Sequence, residues 1–141
     1  AGLRVVVADD QDDSRDLIEF LLTQQGAVVT GAASAAEAFA AVKGHPPDVL
    51  LSDIEMPDEN GYALIGRIRA LSAPEGGTVP TAAITAHGSR EDRDRALAAG
   101  FQRHLPKPFQ PADLFALVGD LAFFMRVFSS STSSPVMRAE R

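Results

Sequence analysis

The chain has 141 residues, 45% of them apolar, enough for one folded domain with its own core. Nineteen acidic against thirteen basic side chains leave a formal net charge of −6, with no basic surplus to meet nucleic-acid phosphates or an anionic membrane. Without a single cysteine, disulfides, zinc–thiolate sites and thiol catalysis are excluded.

No apolar run approaches the length of a membrane span, and no basic segment followed by an apolar stretch opens the chain, so a cytoplasmic location is expected. Residues 3–8 form an apolar, β-branched run that reads as a first strand and ends in the adjacent acids Asp9 and Asp10. Asp12 or Asp13 is placed to cap a first helix, in which Leu17, Phe20 and Leu21 share a face. A second strand is expected over 27–31. Ser34 and Glu37 have capping-box spacing for a second helix, with Phe39 and Val42 turned inward and Gly44 as its stop. The apolar run 48–52 gives a third strand that delivers Asp53 at its end.

A third helix is expected over 61–71, its Leu64, Ile65, Ile68 and Leu71 forming one stripe. Residues 80–85 make a fourth strand ending in Thr85. Ser89 and Asp92 then open a fourth helix that stops at Gly100. Positions 90–95 of this helix are all charged, so only Ala96, Leu97 and Ala99 can anchor it. It is expected to be the least firmly held. A weaker fifth strand over 102–105 leads to Lys107, held between Pro106 and Pro108, and the Lys107–Pro108 bond is expected to be cis. The fifth helix starts near Pro111, with Leu114, Leu117, Val118 and Leu121 at helical spacing, and is expected to continue through Phe128. Past Leu121, the side chains Phe123, Phe124, Val127 and Phe128 spread around most of the helix and are expected to meet a second copy or a partner domain. The serine stretch 129–134 reads as a flexible tail. The expected division is a domain over 1–122 and a helical extension with tail over 123–141, which leaves no room for an output domain after residue 122.

Five βα units imply an α/β fold, a doubly wound five-stranded parallel sheet of flavodoxin-like order 2-1-3-4-5. Ligands of such sheets collect beyond the carboxyl ends of the strands where strand order reverses, here between strands one and three. Asp9, Asp10 and Asp53 are delivered to that crevice. Three carboxylates there repel one another unless a cation joins them, and Mg²⁺ suits a site that also holds a phosphate. A backbone carbonyl just past Asp53, that of Glu55, completes the protein's oxygen ligands. With the charge neutralised, a carboxylate can attack phosphorus, while the ammonium of Lys107 and the hydroxyl of Thr85 steady the transferring group.

At this point the residues carry a resemblance. Val6-Val7-Ala8-Asp9-Asp10, Leu51-Ser52-Asp53-Ile54-Glu55-Met56-Pro57 with Gly61, Ile84-Thr85-Ala86 and Lys107-Pro108 occur in this order and at these distances. The chain resembles bacterial response-regulator receiver domains over roughly residues 2–122. Leu51-Ser52-Asp53, Gly61-Tyr62 and Arg95-Ala96-Leu97-Ala98-Ala99-Gly100-Phe101 look most like receivers of hybrid sensor kinases. The resemblance implies a phosphorelay module rather than an enzyme with a free substrate. Asp53 would be phosphorylated by a histidine kinase or a histidine phosphotransfer protein, Asp9 and Asp10 would bind metal, Lys107 would pair with the phosphate, and Thr85 would follow it. It also implies that the face around helix 4, strand 5 and helix 5 docks partners, and that Glu55 and His87 tune the access of water. His104 stands where the family usually has an aromatic switch residue, which puts that switch in question.

Other classes fit less well. A phosphohydrolase of related fold would present Asp-x-Asp after the first strand, with its nucleophile there. A docking module that had lost phosphorylation would not need the full acid set with Thr85 and Lys107. A flavin site fails because the loop after the first strand is acidic. The three histidines, His45, His87 and His104, lack metal-ligand spacing.

Overall fold

The computed structural model describes residues 2–131 apart from residue 87, with side chains through Ala122. The elements run β1 (Arg4–Ala8), α1 (Asp12–Gln24), β2 (Val28–Ala32), α2 (Ala35–Gly44), β3 (Val49–Asp53), α3 (Gly61–Arg69), a 3₁₀ turn (Ala73–Glu75), β4 (Thr81–Thr85), α4 (Arg90–Ala99), β5 (Arg103–Pro106) and α5 (Pro111–Ser131). The five strands form one parallel sheet in the order β2-β1-β3-β4-β5, as expected.

Every residue of β3 and β4 is buried, because helices cover both faces of these central strands. Side chains alternate between the two layers. Val6, Ala8 and Leu50 pack with Val42 of α2, Leu64, Ile65 and Ile68 of α3, and Ala96 of α4. Val5, Val7, Val49 and Leu51 pack on the other side with Ile18 and Leu22 of α1 and Leu114, Leu117, Val118 and Leu121 of α5. β2 is an edge strand, and its Val28 is exposed.

Local capping follows the sequence in α2 and α4. Ser34 Oγ accepts from the Glu37 amide at 3.1 Å while Glu37 accepts from the Ala33 amide at 2.9 Å, and Ser89 Oγ accepts from the Asp92 amide at 3.0 Å. Gly100 ends α4 with φ of 127°, a left-handed conformation that side chains resist. Ala96 is the one buried residue of α4, and Leu97 is exposed, in keeping with a loosely anchored helix.

Four expectations need correction. α1 begins at Asp12, and neither Asp12 nor Asp13 caps it: the cap position is Gln11, which makes no side-chain cap bond, and its amide donates to Asp9 Oδ1 at 2.9 Å. The face of α1 that meets the sheet is Ile18 and Leu22, leaving Leu17 and Phe20 52% and 60% exposed. α3 stops at Arg69, so Leu71 lies outside it. α5 runs to Ser131, three residues into the serine stretch. The side chains of Phe123, Phe124, Val127 and Phe128, and all of 132–141, fall outside the described residues.

Arg69 is the last residue of α3. Its guanidinium donates to the carbonyls of Gly77 (3.0 Å), Val79 (2.8 Å) and Gly100 (3.0 Å), to Thr81 Oγ1 (2.9 Å) and to Gln102 Oε1 (3.0 Å). One side chain thereby ties the α3–β4 connection to the start of β4, the end of α4 and the approach to β5. Burial among neutral acceptors lowers its pKa from the usual arginine value. No helix among the described residues is long and apolar enough to cross a membrane.

Candidate functional site

β1 and β3 are neighbours with Ala8 paired to Ser52, so the residues that follow, Asp9 and Asp53, emerge at one level of the sheet. Asp10 joins them, and each of the three offers a carboxylate oxygen within 4.8 Å of the others. Asp9 is 1% exposed and Asp53 8%, so this is a crevice rather than a solvated acidic surface. Asp53 Oδ1 accepts from the Glu55 amide at 3.2 Å. Burial pushes the Asp53 carboxyl above its ordinary pKa and the like charge of Asp9 adds to this, while Lys107 and the amides of Glu55 and Ile54 pull it back.

Lys107 arrives from the opposite side of the crevice. Its amide donates to the Thr85 carbonyl at 2.7 Å, and the Lys107–Pro108 bond is cis, as the sequence suggested. Its Nζ lies 3.2 Å from Asp9 Oδ2 and 3.7 Å from Asp53 Oδ2. It also donates to Ser14 Oγ at 2.9 Å, a contact the sequence reading missed. Ser14 carries no recognisable signature, because its partner lies 93 positions away.

Thr85 is buried one residue past Ile84, which pairs with Asp53, so the hydroxyl belongs to the strand beside the acids. His104 sits lower, paired with Ala83 on β4, and is half-buried. His87 is outside the described residues. Gly61 opens α3 directly against β3: its amide donates to the Ile54 carbonyl at 2.8 Å, and a Cβ there would stand 2.5 Å from the Asp53 carbonyl oxygen. Beside the crevice, a groove lined by Glu55, Met56, Pro57, Asn60, Tyr62 and Arg95 separates α3 from α4, bridged by Arg95 stacked 4.2 Å over the Tyr62 ring.

The donor set suits a hard cation. Three carboxylates converge, and Asp10 Oδ1 is buried without a hydrogen-bond partner among the described residues, an orphaned acceptor that a cation would satisfy.

A 2-1-3-4-5 parallel sheet with three acids and a lysine at the carboxyl ends of its strands is the architecture of chemotaxis-type signalling domains. The structure of the chemotaxis response regulator CheY4 of Vibrio cholerae superposes with a TM-score of 0.79 at 26% identity, covering 86% of this chain and 99% of that one. The receiver domain of a sensor histidine kinase from Pseudomonas aeruginosa PAO1 superposes equally well, TM-score 0.79 at 30% identity over 86% and 98% of the two chains. That structure has a magnesium ion coordinated in its active-site cleft. A family model for the response regulator receiver domain matches residues 5–119.

The chain belongs to the response regulator receiver domain family of two-component signalling. An uncharacterised 14.6 kDa protein of Leptolyngbya boryana is 44% identical over 118 residues, 84% of this chain and 88% of that protein. Hybrid signal transduction histidine kinase I of Dictyostelium discoideum is 32% identical over 120 residues, 82% of this chain but 7% of the kinase. The chain likewise spans about half of some other curated relatives, 54% of the transcriptional regulatory protein PrrA of Mycobacterium tuberculosis among them.

Proposed function

We propose that Asp53 accepts a phosphoryl group from the phosphohistidine of a kinase or histidine phosphotransfer protein, in a step that needs Mg²⁺. The observation that carries this reading is the convergence of Asp9, Asp10 and Asp53, with an orphaned Asp10 oxygen and Lys107 Nζ within 4 Å of both Asp9 and Asp53. Asp9, Asp10 and Asp53, with the backbone carbonyl of Glu55, would hold the ion, which supplies charge neutralisation when bound. An Asp53 carboxylate oxygen attacks phosphorus, the phosphorus–nitrogen bond to the donor imidazole breaks, and its electron pair stays on the leaving nitrogen. Lys107 then pairs with an oxygen of the transferred group instead of the Asp53 carboxylate. The Thr85 hydroxyl, one strand away, turns towards that group, with His104 below it as the second residue of the switch. The face of α4, β5 and α5 changes shape for a docking partner. Residues 1–122 carry this chemistry, and the extension from 123 meets a second copy or a partner domain. The chain catalyses its own modification and does not turn over a free substrate.

Intact-mass spectrometry after incubation with Mg²⁺ and acetyl phosphate tests the reading. Wild type should gain one phosphoryl group, and Asp53→Asn or wild type in chelator should gain none. A labelled Asp53→Asn protein would overturn the assignment.

A further inference from the structure

We infer that Ser14 is a positioning residue for phosphoryl transfer, holding the Lys107 ammonium in its working direction. The inference deepens the phosphoacceptor reading and rests on it. Of the three oxygens around Lys107 Nζ, the Ser14 hydroxyl is the nearest, at 2.9 Å against 3.2 Å for Asp9 and 3.7 Å for Asp53. A lysine needs such a holder. Its ammonium is a point charge on a flexible four-carbon stem, with three tetrahedrally disposed donors and no planar fork to fix its direction. Ser14 and Asp9 take two of those donors and leave the third for the side where Asp53 lies.

Ser14 is well placed to hold. It stands one turn before Ile18 on α1, on the same helix face, and Ile18 is buried against the sheet with Leu22. The hydroxyl is therefore fixed by a helix whose own position the core determines. It is also neutral. An acid at this position would put a fourth carboxylate beside Asp9, Asp10 and Asp53 and raise their mutual repulsion. Asp9, the other holder, belongs to the acid cluster that suits a cation, so its oxygens are shared between tasks. Ser14 has no such second duty.

The test uses the full chain with Ser14→Ala and Ser14→Thr. Alanine is a good helix former at this position, so the fold is expected to survive, and thermal melting checks it. With acetyl phosphate at saturating Mg²⁺, Ser14→Ala should label roughly five-fold more slowly, the size of one net hydrogen bond lost from a positioning group. The Mg²⁺ concentration for half-maximal labelling should stay the same, and Ser14→Thr should restore most of the rate. In metal-free protein at low temperature, the Lys107 ¹⁵Nζ signal should be sharp in wild type and Ser14→Thr and broadened by water exchange in Ser14→Ala. Wild-type rates in Ser14→Ala, a threonine variant as slow as alanine, a raised Mg²⁺ requirement or an unchanged Lys107 signal would each overturn the positioning role. Unlabelled wild type would overturn the phosphoacceptor reading itself, and the two failures are thereby distinguished.

Discussion

The two ends of the sheet treat charge in opposite ways. At the carboxyl ends of the strands, three carboxylates cluster, two of them share one lysine, and among the described residues one acceptor, Asp10 Oδ1, has no hydrogen-bond partner. At the amino ends of β4 and β5, a single guanidinium is shared among five neutral oxygens. The second arrangement is complete and rigid. The first is an excess of like charge held in place by the core, and it can improve only by gaining a cation or losing a negative charge. Stability and reactivity are thus built from the same groups, with satisfaction of hydrogen bonds as the difference.

The contrast is broken most severely at Arg69. Arg69→Ala removes the side-chain donor from the Gly77, Val79 and Gly100 carbonyls and leaves Thr81 and Gln102 bonded only to each other, and should cost roughly 3 kcal/mol in urea unfolding. Arg69→Lys should recover less than half, since an ammonium cannot reproduce the five-donor fork. At the acidic end the sign reverses. Mg²⁺ at about a hundred times its dissociation constant should stabilise wild type by about 2.7 kcal/mol in thermal melts, and Asp10→Asn should lose most of that gain.

Without metal, Asp53→Asn should raise stability at neutral pH, because the raised pKa of Asp53 means that folding is penalised by its ionised form. That penalty is full above the raised folded pKa and fades as pH falls through it towards the unfolded value. The advantage of asparagine should therefore vanish in acid, and an advantage that grows in acid would contradict the direction. The smallest effect expected is in hydrogen exchange. Amides of α4, with Ala96 as its one buried residue, should exchange about ten-fold faster than those of α3, which buries Leu64, Ile65 and Ile68. Phosphorylation should change the α4 rates first.

Much of the acidic end was legible in the sequence, because each of its parts follows an apolar run. A strand that stops at an acid announces both its own end and the residue it delivers, as β1 does with Asp9 and β3 with Asp53. The helix faces were less legible. In α1, Leu17, Phe20 and Leu21 make as good a stripe as Ile18 and Leu22, and periodicity cannot choose between two apolar stripes on one helix. The sheet chooses. Arg69 and Ser14 were invisible for a different reason. Their partners stand up to 33 and 93 positions away, and a polar residue with distant partners looks, in one dimension, like any solvated side chain. β2, β3 and β5 each lie one residue later than expected, because strand ends are set by pairing with neighbours that the apolar run alone does not show.

Gly61 offers a way to separate shape from charge in this crevice. The first residue of α3 lies against the main chain of Asp53 and Ile54 with no side chain between them, and an added methyl carbon would stand 2.5 Å from the Asp53 carbonyl oxygen and 2.9 Å from Ile54 Cα. Neither neighbour is a flexible tip that could swing aside. Alanine at this position would therefore act as a wedge, prying helix from strand and tilting the main chain that carries Asp53. It would do so without adding or removing a single titrating group. Few positions in an acidic cleft permit a purely mechanical perturbation, and this one would report how much of the chemistry depends on where Asp53 points rather than on what surrounds it.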